Sequence, residues 1–378
     1  MSTLYVNGTI HSTSDPYATA LLVDSGTVAW VGADDTAESM RARSGAGWEV
    51  VDLQGALVAP AFVDSLDLTT STSADPDAGP LAAARAGTFL SVTAGLPAAV
   101  GPRTIGYHLV QADEAAGAAG DLAALVTGPA GEGQPGERTA GLAAVVGPRG
   151  LDGGAVAHLT AQATAAGIQL YLLPDRAEDL DAVVSALRAT AESQGTGALG
   201  MVRHRLAWNG PVDEESMRTM AENSLSFTAV PGADGTLAAP IASLLNRAVP
   251  VSFGSGEAPA DPWGTLRASL EHPEDQQRIP ARSGFTAATK AGLRALPHAV
   301  GARHQMAGRI APSSPATFGI WSADAFSVQA PDGRVAAWST DTRAGTPLLP
   351  VLEEGTAAPR CLATVVDGTE VFRSPDWT

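Results

Sequence analysis

The chain has 378 residues, long for one average domain, and its 45% hydrophobic against 17% charged residues leave ample apolar material for a core. A net charge of −17 and a pI near 4.7, with Lys290 the lone lysine, exclude a nucleic-acid surface, because phosphate recognition needs clustered cations. The single cysteine, Cys361, excludes an internal disulfide and suits a reducing compartment, and no run approaches the ~18 apolar residues of a membrane span.

The N-terminal Met1-Ser-Thr-Leu-Tyr-Val-Asn7 lacks the basic-then-apolar order of a signal peptide, so a cytoplasmic protein without a membrane partner is expected. Residues 1–57 read as short strands. Leu4–Ile10 carries a turn signal at Asn7-Gly8, and Ala18–Asp24 and Thr27–Gly32 flank the hairpin loop Asp24-Ser-Gly26. A short helix over Thr36–Arg43 and a strand over Glu49–Leu53 follow. Val58–Leu68 then reads as a buried strand entered through Pro60, apolar at Phe62 and Val63, and ending in Asp64-Ser-Leu-Asp-Leu68.

From 58 to 309, strand-like and helix-like pieces alternate. The strand-like pieces are Thr88–Val92, Ala123–Thr127, Leu142–Val146, Ile168–Leu173, Arg203–Trp208, Ser224–Val230 and Val249–Gly254. Amphipathic helices are predicted over Ala155–Ala166, Asp179–Glu192 and Glu214–Asn223. The Gly-, Ala- and Pro-rich stretch 69–150 leaves some strands unplaced, and Gly131–Gly136 reads as a loop. In the tail, Ala316–Trp321, Val335–Trp338 and Leu362–Phe372 are strand-like, with Asp367-Gly368 as a type I′ turn signal.

The frame Val58-Ala-Pro-Ala-Phe-Val-Asp64, preceded by Val51-Asp-Leu-Gln-Gly55, resembles the entry to the catalytic barrel of the amidohydrolase superfamily. There a Pro-Gly-Phe-(Val/Ile)-Asp strand ends in His-x-His. Gly167–Leu173, Arg203-His-Arg-Leu-Ala-Trp208, Gly254-Ser-Gly-Glu-Ala-Pro259 with Asp261-Pro-Trp263, Phe285–Leu296 and Gly308–Ala316 are similar to the N-substituted formamide deformylase-like branch. The resemblance implies a (β/α)8 TIM barrel over 58–309, with a small split β-sandwich formed by 1–57 and 310–378. It also implies hydrolysis of C–N bonds by one or two divalent metals, zinc among them, at the C-terminal mouth.

The metal positions of that pattern hold Leu66 and Leu68 on strand 1, Leu173 on strand 5, Trp208 on strand 6 and Gly256 after strand 8. The predicted strand 4 has no lysine, since Lys290 falls in a later helix. Side chains at i and i+2 share a face, so Leu66 and Leu68 are expected to point together, Asp67 to point away, and all four large apolar residues to fill one pocket. None offers a lone pair, so no metal cofactor is expected.

Candidate catalytic groups are then Glu257, His204 and Asp67. Each has a plainer reading. His204 is a wall histidine, Glu257 a solvated loop acid, Asp64 a brace of strand 1, Asp175 architectural beside Arg176, and Asp261 a helix cap before Pro262. His11, His108, His158, His272, His298 and His304 have no zinc-like spacing. Ser255 in Gly-Ser-Gly lacks the nucleophile elbow.

Two functions follow. One is a degenerate, metal-free, non-hydrolytic member that binds a small molecule in the mouth or joins an assembly as a homodimer or with another protein. The other is a working hydrolase of amide or cyclic amide C–N bonds with a rebuilt site. A polar cavity lined by Glu257 and His204 would favour an enzyme or receptor; a mouth packed with leucine and tryptophan would favour a third reading, a pure scaffold.

Overall fold

The computed structural model describes residues 2–45, 47–69, 87–94, 103–115, 119–127, 140–329, 338–339, 346–353 and 355–377. The loop expected at Gly131–Gly136 and most of the strand expected at Val335–Trp338 lie outside them.

The N-terminal strands are β1 (Thr3–Val6), β2 (Thr9–Ile10), β3 (Ala20–Asp24), β4 (Thr27–Gly32), β5 (Glu49–Asp52) and β6 (Leu57–Pro60), with helix α1 (Asp34–Ser44) between β4 and β5. Asn7, in the left-handed region at φ 58°, turns the chain from one sheet to another rather than making a hairpin. Ser25 and Gly26 both have positive φ, as a two-residue hairpin turn requires.

Strands β7 (Phe62–Asp67), β8 (Thr88–Ala94), β9 (Arg103–Leu109), β10 (Gly141–Val146), β11 (Leu170–Pro174), β12 (Arg205–Trp208), β13 (Ser226–Ala229) and β14 (Val251–Phe253) form one eight-stranded sheet in sequential order. Every neighbouring pair is parallel. The sheet closes just past β14, where Gly256 donates to the Leu66 carbonyl and accepts from the Leu68 amide, each at 2.8 Å. This is a (β/α)8 barrel.

Its outer layer includes α2 (Ala119–Thr127), α3 (Gly153–Ala165), α4 (Ala177–Gln194), α5 (Glu214–Glu222) and α6 (Pro262–Leu270). Ala123–Thr127, expected as a strand, lies within α2, and the third strand is instead β9, Arg-Thr-Ile-Gly-Tyr-His-Leu. A five-residue apolar run reads alike in either state, and here tertiary packing decides. Asp152 and Asp213 cap α3 and α5 through the amides of Ala155 and Ser216, each cap worth about 1 kcal/mol.

The tail adds β15 (Phe318–Ser322), β16 (Phe326–Gln329), β17 (Trp338–Ser339), β18 (Leu349–Pro350), β19 (Arg360–Val366) and β20 (Thr369–Arg373). One sheet runs β4-β3-β1-β5; a second runs β2-β6-β15-β19-β20 and so joins the two ends of the chain. One apolar core spans both, including Tyr5, Leu21 and Val23 from the first and Val58, Phe318 and Val365 from the second. Asp367 and Gly368, both at positive φ, make the tight turn from β19 to β20. β6, on which the expected boundary at 57/58 falls, is a strand of this second sheet, and the barrel begins at Phe62. Phe62 also ties the two parts together, its ring 5.0 Å from Trp263, 5.7 Å from Phe285 and 5.6 Å from Trp321 of β15. Edge-to-face aromatic pairs of this kind contribute about 0.5–1.5 kcal/mol each beyond burial.

Candidate functional site at the barrel mouth

Strand alternation sorts the side chains. On β10, Ala143 and Val145 join the inner cluster while Leu142, Ala144 and Val146 pack outward; β11 and β12 behave alike, with Tyr171, Leu173 and Ala207 inside. β7 would put Leu66 outside, but an extra residue between its pairings at Asp64–Ser91 and Asp67–Thr93 shifts the alternation. Leu66 and Leu68 therefore meet Leu173 in the inner apolar cluster, with Val145 and Val230 beside them. Leu66 is 3% and Leu173 9% exposed, so this end of the barrel is filled.

Trp208 does not join them. Arg205 and Ala207 occupy the inward positions of β12, so Trp208 turns outward onto the core between barrel and helices. Its ring lies over Gly210, and Nε1 donates to the Pro211 carbonyl at 3.3 Å. Gly256 is more than a lost ligand. Its φ is 63°, and a Cβ there would lie 2.6 Å from Val230 Cγ1, so an aspartate would strain the backbone that closes the barrel and displace Val230.

The three catalytic candidates are dispersed. His204 is buried between β12 and α3, its Nδ1 accepting from the Leu170 amide at 2.9 Å and its Nε2 lying 2.9 Å from Thr164 Oγ1. With Nδ1 accepting, the ring proton is on Nε2 and donates to Thr164, and burial holds the pKa down to about 4. Asp67 is buried facing away from the leucines and accepts from the Thr69 amide and hydroxyl at 2.9 and 2.6 Å. Glu257 is on the rim with its side chain 76% exposed, 3.6 Å from Arg149. Arg149, in the loop after β10, is held more firmly by Asp175, at 2.6 Å through Nη2 and 3.1 Å through Nε.

Asp64 was read as a brace of strand 1, but its partner Ser255 and the network around Arg205 escaped sequence reading. Asp64 joins β7 to the chain just past β14, accepting from Ser255 Oγ at 2.5 Å, Ser255 N at 2.9 Å and Leu66 N at 3.2 Å. Burial, and then the neighbouring Asp67, push its pKa up to about 7 despite those three donors. It faces a small crevice shared with Thr265 of α6 and Ala288, not the mouth. Asp261 caps α6 through the Gly264 amide, with Pro262 at the first helical position.

Below the leucines, Arg205 is fully buried, its guanidinium 4.2 Å from the Tyr171 ring centre. Nη2 donates to the Ser65 carbonyl at 3.0 Å, which also receives the Tyr171 hydroxyl at 2.8 Å. Tyr107 donates to Gln169 at 2.5 Å, and Gln169 Nε2 donates to the carbonyls of Arg203 and Ala295 at 2.6 and 3.0 Å. The prior hint was Arg205 and Tyr171 on alternate positions of the strands expected at Arg203–Trp208 and Ile168–Leu173; Tyr107 lies on β9, which the sequence did not reveal.

This donor set does not fit a divalent ion. Leu66, Leu68 and Leu173 stand where lone pairs would be needed, and among the described residues no three His, Cys, Asp or Glu side chains gather closely enough to hold one. Residues 69–372 match the sequence pattern of the amidohydrolase family. The chain belongs to the amidohydrolase family. No curated protein sequence matches this member. Among solved structures it is similar to the zinc-complexed atrazine chlorohydrolase of Arthrobacter aurescens TC1, with 15% identity and a TM-score of 0.64 over 98% of this chain and 95% of that one. It is likewise similar to an uncharacterized metal-dependent hydrolase from Pyrococcus furiosus, with 12% identity and a TM-score of 0.57 over 84% and 98%. At such identities the likeness is one of fold, and function has to be argued from the site.

Proposed function

We propose that this amidohydrolase-family chain is a metal-free, non-hydrolytic member that works in the cytoplasm as a binding partner within an assembly. One observation carries the reading: Leu66, Leu68 and Leu173 lie together in one apolar cluster at the positions where the family pattern calls for metal ligands. Apolar side chains can neither replace the water of a divalent ion nor lower the pKa of a bound water. A small ligand in the mouth, the other form of the binding reading, would meet Leu66 and Leu173 already covered. The alternative, a hydrolase of amide C–N bonds rebuilt around Glu257, Asp67 and His204, draws no support from their placement. His204 and Asp67 face away from the barrel interior, and Glu257 is solvated beside Arg149.

Plasma mass spectrometry of tag-free protein purified without chelator tests the reading. Far less than one zinc, iron or manganese per chain is expected, with a melting temperature unmoved by a chelator, since a bound metal stabilises the folded state by mass action. Near-stoichiometric metal whose removal lowers the melting temperature would overturn it.

A further inference from the structure

Residues 276–323 contain no aspartate or glutamate, in a chain with 40 acidic residues, while the same stretch holds Arg278, Arg282, Lys290, Arg294, Arg303 and Arg309. The helical run 281–295 presents Arg282, Thr286, Lys290 and Arg294 at four-residue steps, and burial follows that spacing. Arg282 and Arg294 are exposed and Thr286 and Lys290 half-buried, while Phe285, Ala288, Thr289 and Leu293 are buried. Steps of four form a ridge on a helix. The π-helical turn Ala287–Ala291 places Lys290 within it.

Arg309 joins from the loop that follows. Gly308, at φ 71°, brings that loop so close that a Cβ would lie 2.9 Å from Lys290 Cγ. The charges bearing on Lys290 are those of Arg294, Arg309 and Arg282, and together with burial they hold its ammonium below the ordinary lysine value. Among the described residues none of these four cations forms an ion pair with an acidic side chain, and Arg309 Nε is buried without an acceptor. Four like charges kept together without counter-ions repel one another, and an acidic partner would relieve that repulsion.

We propose that the ridge Arg282–Lys290–Arg294, with Arg309, is the docking surface for an acidic segment of a partner protein. The proposal rests on the assembly reading and names the chemistry of the partner. The ridge is ~18 Å long, twelve residues at ~1.5 Å each, which suits an extended or helical peptide better than a single anion. The net charge of −17 repels any anionic partner in proportion to that partner's own charge, so a short acidic segment is opposed less than a long nucleic acid.

The probe is a fluorescent oligoglutamate peptide of roughly six residues, long enough to span the ridge when extended, titrated against the full chain at low salt. Saturable, salt-sensitive binding is expected, weakened at least about tenfold by the pair Lys290→Glu and Arg294→Glu, with circular dichroism and melting temperature retained. Arg218→Glu, an equal sign reversal at one exposed site on α5, should leave binding within about twofold. Because Lys290 carries the sole side-chain amine, its acylation should also slow when the peptide is bound.

No binding at low salt, or equal weakening by Arg218→Glu, would overturn the proposal. So would tighter binding of a single-stranded DNA of equal charge, or salt-dependent self-association lost with the paired variant, which would give the ridge to a second copy. Failure of the peptide with metal content still near zero would remove this partner and leave the non-hydrolytic reading standing, whereas stoichiometric metal would remove that reading itself.

Discussion

Leu66, Leu68 and Leu173 at the mouth, and Arg205, Tyr107 and Tyr171 below them on β12, β9 and β11, are two parts of one barrel interior with opposite chemistry. Among the described residues the upper half is apolar, with Leu66 and Leu173 buried. The lower half is polar, and many of its groups are used by one another: the Ser65 carbonyl takes two donors and Tyr107 is spent on Gln169, while Arg205 Nε and Ser65 Oγ are buried without a hydrogen-bond partner. A buried charge is tolerable only when its environment is arranged around it, and the ring faces of Tyr171 and Tyr107 supply part of that. The contrast teaches that polar residues inside a barrel do not make a catalytic site. A site needs groups left free for a substrate at the mouth, and among the described residues the ligand positions of the family pattern on β7 and β11 offer leucine.

The largest effect expected is at the lower half. Arg205→Ala should cost about 3–5 kcal/mol in denaturant unfolding, through a cavity and a broken network, while Arg205→Met, which keeps volume and removes the charge, should cost markedly less. Equal losses would mean that packing there depends on the guanidinium itself. In the upper half, Leu173→Ala should cost about 2–5 kcal/mol, and a loss below about 1 kcal/mol would mean that the mouth is not a packed core.

Asp64 and His204, two buried titratable groups outside both halves, have opposite pH signatures. Asp64, with a folded pKa of about 7 against an ordinary value of 3.8, binds its proton more tightly folded than unfolded. Its contribution is therefore full at low pH and is lost as pH rises from about 4 to about 7, by at most ~4 kcal/mol. Relative to Asp64→Asn, the native chain should lose stability across that window. His204, with a folded pKa of about 4, binds its proton less tightly folded. Its contribution is present above about 6.5 and lost as pH falls towards 4, so His204→Gln should flatten the acid limb of the stability curve. His11, half-buried and also held down to about 4 by desolvation, acts in the same direction and stays in both proteins. The smallest effect expected is from Glu257→Gln, within about 0.5 kcal/mol, as for most exposed ion pairs.

Much of this was written in the sequence. Most of the order of strands and helices and the turn at Asp367-Gly368 follow from local periodicity and turn chemistry, which act over a few residues, whereas the Pro60–Asp64 frame and the two-ended sandwich were read through the resemblance to the amidohydrolase family. The absence of ligand chemistry at positions 66, 68 and 173 was legible too, because a leucine is apolar in any fold. Ala123–Thr127 and Arg103–Leu109 were not legible, since short apolar runs gain their secondary structure from what packs on them.

Only the tertiary structure decided which way each side chain faces. One extra residue in β7 brought Leu66 and Leu68 inward, alternation along β12 turned Trp208 out, and closure of the barrel left position 256 strained for any residue but glycine. It likewise gathered Asp64 with Ser255, 191 residues apart, and Lys290 with Arg309. The physical reason is that a sequence fixes what a side chain can bond to, whereas its face and neighbours depend on strand register and closure, which are settled between segments distant in the chain.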